Sequence, residues 1–374
     1  MKLESDSVQC SVSSPPYHAL RNYQVDGQIG LEPTCAEFIQ KLVGVYSELK
    51  RVLHPSGIAW VNIGDSYSGG GNKRGKGSRI SDKQSSNQGG TGQLVDTPVC
   101  EDLPRKSLKG VPWRFAFAMQ DDGWVLRDAM IFHKLNPMPT SQKDRCTNCY
   151  EYIFQFTRGP KYFFDMEAVK EKSITQDIRK PYAPGQIDSR GNGHDRGGGT
   201  DTGRDSQTRV PRNIRSWSTQ GFKGAHFATF PVALPLWCIQ ASVPKAGVCA
   251  KCYMPFNRVV ESIRRPTRPG ENTKIKMPDG WDTDEGGHGS FHRDGREKGQ
   301  YRDTAEVGNR DPQRHVTETV TTGWEPGCNC DYGNDRPTVC DLFSGSGTTG
   351  IAALSLGCNY LGIELNPDYA TMSE

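Results

Sequence analysis

The chain reads as an α/β protein built on an open, mostly parallel sheet whose ligand-binding half comes last in sequence. Three observations predict this. Residues 7–13, 35–53 and 58–63 alternate as strand, helix and strand, the crossover unit of a parallel sheet. A glycine loop, Gly345-x-Gly347-x-x-Gly350, lies between a buried-type strand at 339–343 and a helix at 348–356. Only ten residues follow Glu364, the acid that closes this unit, so the other strands have to come from the N-terminal part. The order is circularly permuted.

The elements follow from local pattern. Residues 7–13 alternate apolar and polar, as a strand does, and deliver Ser14 at its end. Thr34 and Glu37 form a capping box for the helix at 35–53. Phe38, Leu42, Val45, Leu49 and Val52 give that helix one apolar stripe. His54-Pro55-Ser56-Gly57 ends it before the strand at 58–63. Residues 68–110 are rich in Gly, Ser and Lys and read as a long loop. Pro112 opens a second helix to about Gln120. Strands are expected near 124–133 and 150–157, with the chain turning back through 158–161 into another at 162–165. Residues 166–224 carry eleven Lys/Arg against seven Asp/Glu and read as a flexible, mildly basic segment. Residues 257–320 read as polar loop, and 360–363 as the last strand.

Composition sets the bounds. The 374 residues are 34% hydrophobic and include 42 glycines, enough for a real core with much loop around it. A net charge of +3 is too small to argue nucleic-acid binding, so any basic surface has to be local. The first residues hold no apolar run of the secretory kind, and no stretch approaches the length of a membrane span. A cytoplasmic protein is expected, in which the 12 cysteines stay reduced and close pairs read as metal ligands.

Two motifs carry the chemistry. In the first, Gly345, Gly347 and Gly350 let the backbone approach a ligand, and Glu364, nineteen residues after Gly345, suits a ribose. Alone this is ambiguous between a nicotinamide and another adenosine cofactor, but the permuted order disfavours an ordinary dehydrogenase. The second is Ser14-Pro15-Pro16-Tyr17. Its two prolines fix φ and donate no hydrogen bond, leaving a rigid turn with free carbonyls. The Ser14 hydroxyl and the Pro15 carbonyl can accept from an amino group, and Tyr17 can stack on a flat ring.

With these motifs in this order, the chain resembles the β group of DNA amino-methyltransferases, which modify cytosine N4 or adenine N6. Residues 57–66, 133–139, 144–156 and 226–234 fit the same family, and the likeness covers about 1–165, 216–246 and 338–374. It implies a Rossmann-like S-adenosylmethionine-dependent methyltransferase fold. It also implies a base flipped out of double-stranded DNA, because its amino group is not accessible in the stack. Ser14, Pro15, Pro16 and Tyr17 would then be catalytic. Asp341, Phe343, Gly345, Gly347 and Thr348 would line the cofactor's methionine end. Glu364 would take its ribose, and Phe230 and Pro231 would cover it. No covalent cysteine is needed, so Cys10 belongs to the core, and His18, His133 and His226 receive no proton-transfer role. Adenine members more often carry Asp at the position of Ser14, which tilts the expected target to cytosine N4. A cognate restriction endonuclease is a possible partner, and no membrane is.

Cys249-x-x-Cys252 and Cys328-x-Cys330 frame a polar stretch, the pattern of a structural zinc ribbon with a long inserted loop. Cys146 and Cys149 find no second pair and are expected in the core. The resulting organisation is a catalytic half at 1–165, a target-recognition segment at 166–224 and a cofactor-covering segment at 225–246. A zinc-ribbon insertion at 247–337 and a cofactor-binding half at 338–374 follow. The basic run at 204–215 could meet phosphates. Both ends are short against the family pattern, from which reduced stability or activity is expected. The competing readings are an RNA or protein-glutamine methyltransferase, a non-catalytic DNA-binding relative and a dehydrogenase. Asn rather than Ser at position 14 would suit a glutamine enzyme.

Overall fold

The computed structural model describes residues 3–20, 23, 25–68, 103–140, 142–172, 208–219, 230–266 and 315–373. Its centre is a seven-stranded mixed sheet. The strands are β1 (Val8–Ser13), β2 (Leu53–Ile63), β3 (Val125–Lys134), β4 (Tyr150–Thr157), β7 (Ile214–Trp217), β12 (Thr338–Asp341) and β13 (Asn359–Gly362), in the order β13-β12-β1-β2-β4-β3-β7. β13, β12, β1 and β2 run parallel, β4 is antiparallel to both β2 and β3, and β7 lies parallel to β3.

Helices cover both faces. On one side lie α1 (Cys35–Val52) and α2 (Val111–Asp121), whose Phe38, Leu42, Tyr46 and Phe115 pack on Ala59, Val61, Phe154 and Phe156. On the other lie α4 (Ala233–Ser242) and α5 (Thr348–Ser355), whose Leu234, Cys238 and Ala352 pack on Cys10, Val12, Trp60 and Met130. A four-residue α3 (Met166–Val169) and a final α6 (Pro367–Ser373) complete the helices. The shorter strands are β5 (Glu171–Lys172), β6 (Thr208–Arg209), β8 (Val248–Cys249) and β11 (Asn334–Asp335). β9 (Phe256–Pro266) and β10 (His315–Pro326) form a two-stranded sheet. No helix among the described residues is long and apolar enough to cross a membrane.

The chain divides into two compact units. One comprises 1–171, 210–259 and 322–374 and holds the whole seven-stranded sheet. The other comprises 172–209 and 260–321.

Several expectations are met closely. Thr34 caps α1, its hydroxyl accepting the Glu37 N–H at 3.2 Å. α2 starts at Val111 with Pro112 in its first turn. Gly110 offers no side-chain cap there, and Asp65 supplies one, its carboxylate accepting the Gly110 and Val111 N–H groups at 3.0 and 3.2 Å. Cys10 is fully buried.

Others are corrected. No turn separates α1 from the next strand: β2 begins at Leu53, directly after Val52. The early start is absorbed by a register shift between Val8 and Cys10, which sends Val8 to one core and Cys10 to the other. Gly57 permits it, because a Cβ there would lie 2.9 Å from the Gln9 carbonyl oxygen. In α1 the third position of the stripe is taken by the buried Tyr46, with Val45 only half-buried. Residues 162–165 form no strand. Their amides go elsewhere, Phe163 N to Ser56 O and Asp165 N to Ala241 O, both at 2.9 Å, and Asp165 caps α3. Within 166–224 the strand β7 joins the main sheet, held by Trp217 against Phe132 and by Arg215 over the Trp237 ring. Strands β9 and β10 likewise replace loop at both ends of 257–320. Cys146 is exposed and Cys149 half-buried, so neither is core. The expected loops at 69–102, 173–207 and 267–314, and His226, lie outside the described residues.

Candidate active site

β1 and β12 are parallel neighbours, with Ser11 opposite Cys340. They end at Ser13 and Asp341, so Ser14 and the glycine loop leave the sheet side by side at its C-terminal edge. That edge is where open α/β sheets bind ligands.

The glycine loop is braced from below and from its rim. Gly345 and Gly347 sit at φ +52° and +75°, and Gly347 caps α5 from the left-handed region. Glu364 accepts the Gly345 N–H at 2.7 Å and, on its other oxygen, the Asn366 N–H at 2.9 Å, which fixes the carboxylate at the end of β13. Asp341 is buried and accepts the Phe343 N–H at 3.0 Å. Burial pushes its carboxyl up to about 7, against the pull of the Thr349 hydroxyl and the Phe343 amide, with the Glu364 charge adding a little. Phe343 rests 6.5 Å from the Tyr46 ring, whose hydroxyl meets Ser13 Oγ at 2.8 Å. Thr348 is buried with its hydroxyl 3.3 Å from that of Ser346. Phe230 packs on the α4 core beside the buried Pro231, whose carbonyl accepts the Leu234 N–H.

In the other motif Pro15 is buried, while Ser14, Pro16 and Tyr17 are half-buried. The Tyr17 hydroxyl donates to Glu151 Oε2 at 2.7 Å. Asn62 Nδ2 donates to the same oxygen at 2.8 Å, and Lys134 Nζ pairs with Oε1. Burial, and then the Glu151 charge, push the Tyr17 phenol well above its ordinary value; the Ser14 hydroxyl and the Gly64 amide pull the other way. The ring is therefore a fixed, neutral phenol. Gly64 makes room for it: a Cβ there would lie 2.7 Å from Tyr17 Cε2. Asn62, Lys134 and Glu151 fall in or beside stretches the family likeness covers, but no spacing singles them out. The available signal was a lone acid at the mouth of an otherwise aromatic strand, Tyr150-Glu-Tyr-Ile-Phe.

His18 is structural. Its Nε2 meets the Glu32 carbonyl at 2.9 Å and its Nδ1 meets Nζ of the buried Lys109 at 3.2 Å. An ammonium only donates, so Nδ1 accepts and Nε2 carries the hydrogen. Burial foremost lowers its pKa, keeping it neutral. His133 meets Ser216 Oγ at 3.0 Å through Nδ1.

Cys249, Cys252, Cys328 and Cys330 converge, their Sγ atoms all within 4.8 Å of one another. β8 pairs antiparallel with β11 beside them. Tyr253 and Asp331, each following a cysteine pair, both take positive φ, so each pair ends in the same kind of tight knuckle. Close backbone approach is built in: a Cβ at Gly327 would lie 2.3 Å from the Pro255 carbonyl oxygen. Backbone amides of Cys252 and Lys251 lower the Cys249 thiol to about 7. Four sulfurs so placed could hold one tetrahedral metal ion. Within the same unit Arg258, at the start of β9, forks onto Asp165 at 2.5–3.1 Å and lies over the Trp324 ring.

A hydroxyl between strand and prolines and a glycine loop thus share the C-terminal edge of a Rossmann-like α/β sheet. The profile of the family described as DNA methylase, the N6/N4 methyltransferases, matches residues 8–254 and 331–374. The chain belongs to this family of DNA amino-methyltransferases. The unmatched stretch, 255–330, holds β9 and β10. The Type II methyltransferase M.Cfr9I of Citrobacter freundii is 42% identical over 241 residues, which cover 64% of this chain and 68% of that protein. M.SmaI of Serratia marcescens is 36% identical over 245 residues, covering 66% and 72%. Among solved structures, the cytosine-N4-specific PvuII DNA methyltransferase aligns over 99% of this chain and 79% of its own. Its identity is 14% and its TM-score 0.47.

Proposed function

We propose that this enzyme transfers a methyl group from S-adenosylmethionine to the exocyclic amino group of a flipped DNA base, with cytosine N4 preferred over adenine N6. The observation that carries the reading is the parallel pairing of β1 with β12, which sets Ser14 beside the glycine loop. The loop suits the cofactor. Gly345 and Gly347 open the backbone, Glu364 offers a fixed carboxylate for ribose hydroxyls, and Asp341, Phe343 and Thr348 line the inner end, with Phe230 and Pro231 over it. When bound, the cofactor would supply an electrophilic methyl group and leave as the neutral thioether, while the base would release one amino proton to solvent. Ser14 Oγ and the Pro15 carbonyl accept from the amino group and orient its lone pair, Pro16 stiffens the turn, and Tyr17 stacks on the ring. Most of the rate comes from that orientation.

Residues 166–224 are proposed to contact the target sequence. Cys249, Cys252, Cys328 and Cys330 are proposed to hold a structural zinc ion. The likeness to Type II methyltransferases supports a cognate endonuclease as partner.

The test incubates the protein with methyl-labelled S-adenosylmethionine and unmethylated bacterial DNA, then digests to nucleosides. Labelled N4-methylcytosine is expected. Labelled N6-methyladenine would overturn the base preference, and absence of label with every DNA tried would overturn the reading.

A further inference from the structure

Asn62 holds a buried acceptor that no group among the described residues uses. It stands on β2 one residue past Val61, which pairs with Ser13, so it lies beside Ser14. Its side chain is 3% exposed. The amide nitrogen is accounted for, donating to Glu151 Oε2 at 2.8 Å with Tyr17 Oη 3.4 Å away. Because Glu151 is an acceptor, paired with Lys134 through its other oxygen, the nitrogen side has to face it, and this settles which way the amide points. Oδ1 is then left buried with no hydrogen-bond partner among the described residues. A buried orphan of this kind calls for an explanation.

We infer that Asn62 Oδ1 is a further acceptor for the amino group of the target base, sharing one of its two hydrogens with the neighbouring Ser14 Oγ, and that Glu151 is the positioning residue that holds it there. The inference rests on the reading that the base enters beside Ser14. An amino nitrogen that attacks a methyl carbon goes from neutral to cationic as its bond forms. An amide oxygen fixed against its hydrogens therefore stabilises the transition state more than the bound base, and its effect falls on turnover rather than on binding. Glu151 fits the positioning role: one carboxylate oxygen holds both the Asn62 amide and the Tyr17 hydroxyl, so the acceptor and the stacking ring are set by the same group.

The experiment measures single-turnover methylation of unmethylated bacterial DNA by Asn62→Ala and Asn62→Asp, together with cofactor binding by calorimetry and melting temperature. Asn62→Ala is expected to slow the methyl-transfer step about a hundredfold, leaving the DNA KM, the cofactor Kd and the melting temperature near wild type. Asn62→Asp keeps an acceptor oxygen but turns its other oxygen onto Glu151 Oε2, where the amide nitrogen donated, so it is expected to stay slow as well. A wild-type rate for Asn62→Ala overturns the inference. So does a loss that appears in cofactor affinity or melting temperature instead of rate, which would make Asn62 a brace for Glu151 alone. Should the alanine variant not fold, Asn62→Ser decides by the same readout, because its shorter hydroxyl falls short of the amino group. Ser14→Ala separates the two levels. If it methylates normally, the base does not enter there and the underlying reading fails. If it is slow while Asn62→Ala is not, only the present inference fails.

Discussion

Thr349 and Val12 stand 337 residues apart and are joined by a hydrogen bond, the threonine hydroxyl donating to the valine carbonyl at 3.3 Å. Val12 belongs to the strand that ends in Ser14, and Thr349 to the first turn of the helix that the glycine loop opens. One side chain thus stitches the two halves of a permuted sheet at the point where their motifs meet. Thr349→Val keeps the shape and removes the bond. It should cost about 1 kcal/mol in urea unfolding and weaken cofactor binding, with DNA binding unchanged. A variant as stable as wild type would show that strand pairing alone aligns the motifs.

Gly64 is required by what stands over it. A methyl group there would press on the Tyr17 ring at 2.7 Å and on Glu151 Cγ at 3.3 Å. The backbone is not strained, so Gly64→Ala acts by displacing the ring. Overpacking of this kind costs about 1–3 kcal/mol of stability. A misplacement near 1 Å at a reacting centre costs about a hundredfold in rate. The expected variant folds, binds the cofactor and methylates poorly. Equal loss of cofactor binding would mean that the disturbance spreads past Tyr17.

Asp341 makes stability depend on pH. Its carboxyl titrates near 7 in the folded chain against an ordinary 3.8, because burial disfavours the charge. Between those values the folded state holds a proton that the unfolded state has lost. The contribution is therefore fully present below the ordinary value, is lost as pH rises through about 7, and is constant above. Urea midpoints measured without cofactor should fall over that window, and Asp341→Asn should flatten the slope. An unchanged slope in the variant would assign it to another group.

What was legible in the sequence was local. The alternation before Ser14, the Thr34 cap and the glycine spacing each depend on residues within one turn or one strand, and each stands where expected. What was missed needed contacts between distant segments. Residues 162–165 look like a strand, but their amides bond to Ser56 and Ala241, which no local pattern reveals. β7 hides in a basic, glycine-rich region because its support, Phe132 and Trp237, comes from other elements. The polar support of Tyr17 was invisible for the same reason: Asn62 and Glu151 are 89 residues apart and meet only once β2 and β4 are neighbours. The Cys146 pair misled in the opposite sense, since adjacency to a strand did not bring burial.

The four-cysteine cluster gives the last prediction. Its sulfurs converge within 4.8 Å, from two knuckles that each end in a residue of positive φ. Thiols crowded in this way gain from a cation that shares their charge, and structural zinc sites of this composition contribute folding energy directly. Elemental analysis of protein purified without chelator should find about one zinc per chain, and Cys328→Ser should lose it. Because Arg258 and Asp165 hold the first residues of β9 independently of the cysteines, metal loss should leave the seven-stranded sheet and cofactor binding in place. Protease sensitivity should rise within the β9–β10 ribbon, and the melting temperature should drop on chelation. Protein that holds no metal, with the cysteines paired as disulfides by mass spectrometry, would turn the cluster into a covalent staple instead.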